Sequence, residues 1–337
     1  MTREKREADA RVLDGTKREV SATSLFSGRI GNWKDWGRVF QSIELFTPLM
    51  EHIFCEERLP FEAARNLTPG TNAVFKVGKY VIKIFAPAES GIDQTMDMRT
   101  ELFAMKRAEE VGVRTPRLVA RGMVEDKYRF AYLITEYIEG VEFVEAVKTM
   151  SRDEKISVAR RLREATDRMN TACEPFNGID VINDENRRIR WDARYTERFR
   201  AERLAYIKTR DYGEQVFAHG DLCGDNIILS PDGELFIIDF ADSVLAPVIY
   251  ERAHVAVELF RLDPDLLYGY FGNTSALELT ELCFDGILIH DFGGDIVASH
   301  IGEPGSFARL EDFRKRLRDR IESELRFTDE DFTKFRS

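Results

Sequence analysis

One short block of the sequence places three oxygen-bearing side chains around a predicted β-hairpin. Asp221 is followed five positions later by Asn226, which leads into the apolar run Ile227-Ile228-Leu229. A turn at Asp232-Gly233, two residue types that tolerate positive φ, then reverses the chain into a second apolar run that ends at Asp239. The hairpin should therefore return Asp239 beside Asn226, with Asp221 one short loop away.

Oxygens in this arrangement suit magnesium-assisted transfer of a phosphoryl group. Mg²⁺ prefers hard oxygen donors and usually takes only one or two from the protein, with the rest from phosphates and water. We predict that Asn226 and Asp239 are the metal ligands and that Asp221 is the catalytic residue. An aspartate with a pKa near ~3.9 is a weak base, so Asp221 would mainly orient an acceptor hydroxyl and take its proton late.

The residues His219-Gly220-Asp221, Asn226 and Ile238-Asp239-Phe240 together resemble the catalytic core of the aminoglycoside phosphotransferase and choline kinase group, small-molecule relatives of the protein kinases. The resemblance implies an α+β, bilobal protein-kinase-like fold with a small β-rich N-terminal lobe and a larger, mainly helical C-terminal lobe. It also implies ATP as the phosphoryl donor, with GTP left open, and Mg²⁺ as the metal. We interpret His219 as scaffolding for the loop, not as the base.

Such a fold requires a phosphate-binding lysine upstream of the block. Residues 71–77 and 80–85 are β-branched and aromatic, which predicts two strands joined by a tight turn. Lys83, in the second segment, has a context that resembles the kinase lysine contacting the α- and β-phosphates. A helix is predicted over 94–111, and Glu101 lies beside its apolar stripe as the expected partner of Lys83.

Two further segments are expected to contact the nucleotide. Gly70, Thr71 and Asn72 hold the position of the phosphate-covering loop, although this loop has one glycine and lacks the Gly-x-Gly-x-x-Gly pattern. The family resemblance also implies an interlobe hinge whose main chain, around Glu136 to Ile138, binds the adenine. The side chains expected to line that pocket are Ile134, Ile228 and Ile238. Taken one at a time, these residues would equally suit a core strand of any α/β domain.

Bulk properties exclude several other classes of protein. The 337 residues are 43% hydrophobic, enough for a full core, and contain no long apolar run, so we expect neither a secretory signal nor a membrane span. The four cysteines are widely spaced, which argues against a zinc site or a disulfide framework and favours the reducing cytoplasm. A net charge of −11 argues against nucleic acid as a partner and suits a small, cationic acceptor.

The chain is expected to divide into a polar N-terminal extension at 1–38, a nucleotide-binding lobe at 39–138 and a helical catalytic and substrate lobe at 139–337. Asp291-Phe292-Gly293 spells a kinase signature, but its distance from Asp221 and its non-hairpin context favour an ordinary loop. Six acidic residues of the last lobe are candidates for acceptor contacts, with a solvated helix face the preferred interpretation of each: Glu258, Asp263, Asp265, Asp285, Asp291 and Asp295.

The leading hypothesis is an ATP- and Mg²⁺-dependent O-phosphotransferase for a small hydroxylated acceptor, with aminoglycosides the first candidates. A catalytically silent nucleotide-binding module remains the alternative, although every core position holds a chemically competent residue. Phosphorylation of a protein side chain is disfavoured by Gly220, which stands where protein kinases have arginine, and by the absence of an Ala-Pro-Glu motif. The acceptor, the choice of ATP or GTP, the role of the extension and the oligomeric state stay open.

Overall fold

The computed structural model describes residues 24–92, 94–184, 191 and 194–334. They form two lobes, each with its own hydrophobic core, as the α+β bilobal prediction requires. The N-terminal lobe contains α1 (Trp33–Val39), α2 (Ile43–Glu56), β1 (Ala64–Asn66), β2 (Ala73–Val77), β3 (Tyr80–Ile84), α3 (Thr95–Glu110), β4 (Leu118–Glu125) and β5 (Arg129–Glu136).

The five strands of this lobe form one antiparallel sheet in the order β1-β2-β3-β5-β4. Alternate residues of β2 are buried, since one face of a strand packs on the core while the other faces away. Strand β5, between β3 and β4, is apolar and buried on both faces from Phe130 to Ile134. Strand β3 and helix α3 thus meet at the position where Lys83 and Glu101 can approach each other.

Residues 24–38, expected to belong to a polar extension, contribute side chains to the core of this lobe. Phe26, Ile30 and Trp36 are almost fully buried against α2 and the sheet. Asp126, in the turn between β4 and β5, accepts hydrogen bonds from the N–H groups of residues 25 and 26, which fixes the segment to the sheet. We therefore propose that residues 24–38 belong to the nucleotide-binding lobe; the earlier part of the expected extension lies outside the described residues.

The C-terminal lobe is mainly helical. Its helices are α4 (Phe143–Ala146), α5 (Arg152–Met169), α6 (Glu197–Lys208), α7 (Val248–His254), α8 (Pro264–Phe271), α9 (Ala276–Ile289), α10 (Gly293–Ile296) and α11 (Leu310–Lys334). Helix α5 begins with a capping box between Ser151 and Glu154, which satisfies two of the N–H groups that a helix start leaves unpaired. Two π-helical turns, Val255–Leu259 and Val297–Ile301, continue α7 and α10.

Short strands carry the segment from Asp221 to Asp239 in this lobe. They are β6 (Val141–Glu142), β7 (Gln215–Ala218), β8 (Ile227–Leu229), β9 (Leu235–Ile237) and β10 (Val244–Pro247). Strands β8 and β9 form the predicted hairpin, with β6 on the far side of β8, while β7 pairs with β10. Among the described residues, no helix is long and apolar enough to cross a membrane.

Candidate active site

The β8–β9 hairpin brings together the three oxygen-bearing side chains of the catalytic block. Its register pairs Ile227 with Ile237, so that Asn226 and the end of β9 lie at the same edge, and the Ile238 N–H donates to the Asn226 carbonyl at 3.0 Å. The amide nitrogen of Asn226 donates to the Asp221 carbonyl oxygen at 2.8 Å and to its carboxylate at 3.3 Å. Asp239 follows directly, in a left-handed conformation with φ of 58°. Sparsely populated backbone conformations of this kind cluster at functional sites.

The loop that carries Asp221 is tied to the hairpin by His219. The buried imidazole lies with Nε2 3.0 Å from the Ile238 carbonyl, and its Nδ1 accepts a 3.3 Å hydrogen bond from the Asp221 N–H. These two partners require hydrogen on Nε2 and a lone pair on Nδ1. Burial lowers the pKa of His219 to about 4, so the ring is neutral at pH 7. Its two hydrogen bonds connect the Asp221 loop to the end of β9.

A buried carboxylate, Glu251 of α7, holds the same loop from the other side. It accepts hydrogen bonds from the backbone N–H groups of His219 and Gly220 and, at 2.8 Å, from the amide of Asn170. Burial raises the pKa of Glu251 to about 7, while these donors oppose the rise. Gly220 is needed here, because its φ is 86° and a Cβ atom would overlap the carbonyl of Asp242.

Lys83 joins the two lobes through a pair of carboxylates. Its ammonium lies 2.7 Å from Glu101 of α3 and 2.7 Å from Asp239. Burial alone would lower the pKa of Lys83, but the two neighbouring negative charges outweigh it and hold the pKa above its usual range. Burial raises the pKa of Glu101 to about 7 in spite of the lysine. For Asp239, burial is outweighed by Lys83, so its pKa lies below its ordinary value and the carboxylate stays ionised.

The loop before β2 closes one side of the cleft between the lobes. Thr68 hydrogen-bonds Glu142 of the C-terminal lobe, and Asn72 is almost fully buried. The indole N–H of Trp36 donates to the Thr71 carbonyl at 2.8 Å, which fixes the loop from the N-terminal segment. The sequence offered no sign that α1 would support this loop, since Trp36 contacts it across 35 positions of the chain.

Residues 136–138, where the adenine-binding hinge was expected, also line the cleft. Two of their N–H groups are already engaged, because residue 136 donates to the Arg117 carbonyl and residue 137 to the Lys79 carbonyl, each at 3.0 Å. In the part of the chain that the structure describes, the Ile138 N–H has no hydrogen-bond partner. Among residues 136–138, the Ile138 N–H is therefore the backbone donor that a bound ligand could use.

A cavity of about 340 Å³ occupies this cleft, and all ten predicted site residues line it. They are Gly70, Thr71, Asn72, Lys83, Glu101, Glu136, Ile138, Asp221, Asn226 and Asp239. Ile228 and Ile238 line it as expected, but the prediction for Ile134 is wrong, because its side chain is buried in the core of the N-terminal lobe. Neighbours in a strand point to opposite faces, so Leu133 and Thr135 reach the cavity instead.

A second cavity, of about 290 Å³, adjoins the first in the C-terminal lobe. Asp221, Cys223 and Asp225 line both cavities, so the loop that carries them separates the two spaces. Of the six acidic candidates, Glu258 and Asp295 line this second cavity.

The other four acidic candidates lie elsewhere. Asp263 caps α8 and pairs with Lys155, and Asp265 pairs with Arg152. Asp285 pairs with Arg210, and Asp291 accepts a hydrogen bond from Tyr250. These contacts give each of the four a structural role.

Magnesium fits the residues at the cleft. The Asn226 nitrogen is committed to Asp221, which leaves the amide oxygen as a ligand atom, and 43% of the Asp239 side chain is exposed toward the cavity. No group of three or more His, Cys, Asp or Glu side chains suited to a metal occurs within the described ranges. A pair of oxygen ligands is nevertheless the usual protein contribution where phosphates complete the shell.

Comparison with known proteins extends these observations. Residues 69–280 match the model of a family described as the phosphotransferase enzyme family, or APH. Among solved structures, the GDP and kanamycin complex of APH(2")-IIIa is 17% identical, with a TM-score of 0.56 over 85% of this chain and 99% of that one. The choline kinase LicA from Streptococcus pneumoniae is 15% identical, with a TM-score of 0.51 over 82% and 97%.

The aminoglycoside phosphotransferase APH(4)-Ia gives a similar result, with 15% identity and a TM-score of 0.51 over 83% of this chain and 98% of that one. At these identities the structural matches establish the shared fold. No curated protein matches the sequence significantly.

Proposed function

The chain belongs to the phosphotransferase enzyme family, and from that premise we propose that it transfers the γ-phosphoryl group of ATP to a hydroxyl of a small acceptor, with Mg²⁺ as cofactor. The observation that carries the proposal is the position of Asp221. Its carboxylate lies where the lysine-containing cleft meets the second cavity of the C-terminal lobe. An acceptor in the second cavity would thus meet a nucleotide in the first at this residue.

The cleft offers contacts for each part of a nucleoside triphosphate. Lys83 has three ammonium hydrogens, of which two are directed to Glu101 and Asp239, leaving one for a phosphate oxygen. Gly70, Thr71 and Asn72 would cover the phosphates. At the hinge, the Glu136 carbonyl and the Ile138 N–H would pair with the base.

Asn226 and Asp239 would hold the metal, which when bound supplies positive charge against the phosphates. Among the residues of this chain, Asp221 would act directly on the acceptor hydroxyl. Held by Asn226, its carboxylate orients the acceptor hydroxyl and takes its proton as the acceptor oxygen bonds to the γ-phosphorus, while the bond from that phosphorus to the β–γ bridging oxygen breaks and ADP leaves. Positioning and electrostatic stabilisation account for most of the rate in this type of reaction.

We further propose that the acceptor is cationic, as aminoglycosides are. The second cavity is lined by four carboxylates, those of Asp221, Asp225, Glu258 and Asp295, against one guanidinium, that of Arg261. Two of the four have close partners outside this set, since Glu258 lies 2.8 Å from the Nε2 of His300 and Asp295 lies 2.6 Å from the guanidinium of Arg194. The excess of negative charge favours amine-bearing acceptors over neutral or anionic ones.

The test is transfer from Mg·ATP to a panel of amino sugars, amino alcohols, neutral sugars and peptides, together with direct binding of Mg·ATP. We expect Asp221→Ala to abolish transfer while nucleotide binding stays within a few-fold of wild type. Asp232→Asn, at the exposed tip of the same hairpin, is the matched control and should retain activity. Full turnover by Asp221→Ala would refute the mechanism, and nucleotide binding without transfer to any acceptor would favour the silent module.

A further inference from the structure

Two buried histidines lie behind Asp221, outside the cleft that would bind the nucleotide. His254 is the last residue of α7 and His290 follows α9, and each side chain is about 2% exposed. The His254 Nδ1 lies 3.1 Å from the His290 Nε2, and the ring of Tyr250 stacks on His290 at 4.0 Å between centroids. His254 also lines the second cavity.

The hydrogen bonds of the pair define a single tautomer for each ring. The Phe292 N–H donates to the His290 Nδ1 at 3.1 Å, so this nitrogen carries a lone pair and the hydrogen of the neutral ring is on Nε2. That hydrogen is donated to the His254 Nδ1, which must therefore be the acceptor. The hydrogen of neutral His254 is consequently on its Nε2.

The Nε2 atom of His254 lies near the carboxylate of Asp221. Nε2 lies 3.8 Å from the Asp221 Oδ1, and among the residues that the structure describes it has no hydrogen-bond partner. A separation of 3.8 Å is too long for a hydrogen bond, and an unpaired buried donor is unfavourable. Hydrogen bonds of catalytic groups often shorten only when substrates are bound, and a shift of about 1 Å would close this one.

We propose that His254, held in its Nε2–H tautomer by His290, is a positioning residue that donates a hydrogen bond to the Asp221 carboxylate once the acceptor occupies the second cavity. The inference rests on the proposed function. Asn226 holds the Oδ2 of Asp221 from the cleft side, so the donor from His254 would fix Oδ1 and leave one defined orientation of the carboxylate. A precisely oriented base contributes more than a stronger one when the acceptor hydroxyl must be aligned.

The surroundings of His254 keep the ring neutral, as a one-proton donor requires. Burial and the neighbouring His290 hold the pKa of His254 well below its usual range, with His219 and His300 acting in the same direction and Glu258 against it. The π-helical turn Val255–Leu259 starts directly after His254. Such turns are frequent at functional sites.

The first experiment compares kcat and the nucleotide KM of two variants at each histidine, using the full chain and the best acceptor of the panel. His254→Phe removes the donor and should lower kcat about 10- to 100-fold without changing the nucleotide KM. His254→Gln retains an N–H near Nε2 and should recover most of that loss. His290→Gln, which can still donate a hydrogen bond to His254, should likewise have a higher kcat than His290→Leu. The control His52→Gln, on α2, should have the kcat of the wild type.

The second experiment requires no acceptor. Nitrogen-15 NMR of the histidine rings in the full-length protein at neutral pH should show hydrogen on Nε2 of both His254 and His290, with assignments from the single variants. An Nδ1–H tautomer or an imidazolium at either residue would overturn the proposal, whether or not a substrate is found. Wild-type kcat in His254→Phe would also overturn it while leaving the phosphotransferase function intact.

Discussion

The buried carboxylate of Glu251 supports the catalytic loop, and Glu251→Gln is expected to destabilise the protein in a pH-dependent way. In the structure the carboxylate receives the N–H groups of His219 and Gly220 and the amide of Asn170. An amide at this position accepts at its oxygen but turns its own N–H groups toward the remaining donors. At pH 5 the wild-type side chain is a neutral carboxyl, and both of its oxygens can still accept, whereas the amide nitrogen of glutamine cannot. Each buried donor that the amide leaves unpaired costs about 1–3 kcal/mol, so the free energy of unfolding at pH 5 should fall by roughly 2–4 kcal/mol.

The sign of the pH effect follows from burial. Glu251 has a pKa of about 7 in the folded protein, against an ordinary value of 4.5. Its contribution to stability is thus fully present below pH 4.5 and is lost as the pH rises through 7. The difference between the two pKa values corresponds to about 3 kcal/mol. Glutamine does not titrate, so the stability gap between wild type and Glu251→Gln should shrink by about this amount between pH 5 and pH 8.

Urea unfolding followed by circular dichroism and tryptophan fluorescence, at several pH values, measures this gap. Taking the difference between the two proteins cancels the titration of groups that both contain, including His219. Glu281→Gln is the matched control, because its side chain is 37% exposed and its contact with Arg314 is a 3.6 Å surface pair. The control should change stability by less than about 0.5 kcal/mol. A stability gap that is constant or widens with pH would show that the three hydrogen-bond donors outweigh burial, so that the pKa of Glu251 is not raised.

Three further substitutions probe the cleft and the loop. Lys83→Met leaves the buried carboxylate of Glu101 and the partly exposed carboxylate of Asp239 without their cation, and it should destabilise the fold by about 3 kcal/mol in urea, with nucleotide binding lost in calorimetry. Stability equal to wild type would contradict this expectation. Trp36→Phe removes the 2.8 Å hydrogen bond to the Thr71 carbonyl and should raise the nucleotide KM about 2- to 10-fold at unchanged kcat. An unchanged nucleotide KM would show that this hydrogen bond does not hold the loop. Gly220→Ala should abolish transfer through a backbone clash, whereas Gly233→Ala, also at positive φ but in open space, should keep it.

Much of the fold, and the convergence of the ten predicted residues on one cavity, could be predicted from sequence. Part of that information is local, whereas the meeting of Lys83 with Asp239, 156 positions later, followed only from the family resemblance. Asp221, Asn226 and Asp239 are connected by one loop and one hairpin, so their spacing nearly determines their proximity. Lys83 and Glu101 lie on consecutive elements, a strand and the helix after it. Local spacing cannot assign roles, however, so catalysis by Asp221 and metal binding by Asn226 and Asp239 stay predictions until they are measured.

The features that the sequence did not reveal all depend on distant or ambiguous packing. Ile134 was misplaced because a strand covered on both faces is apolar at every position, and such a run does not indicate which residues face the cleft. Glu251 looks like any charged helical residue until the fold places it under the loop. His254 and His290 are 36 positions apart, and neither belongs to a motif.

The shared wall between the two cavities has a consequence for ligand design. A single molecule that joins a nucleoside to an amine-bearing acceptor mimic could occupy both spaces, and its second half would bind at the high effective concentration that a short linker provides. Such a linker would pass Cys223, whose thiol has a pKa raised to about 12 by burial. Because the thiol rather than the reactive thiolate predominates, an inhibitor of this bisubstrate type should bind reversibly even when it carries a mild electrophile.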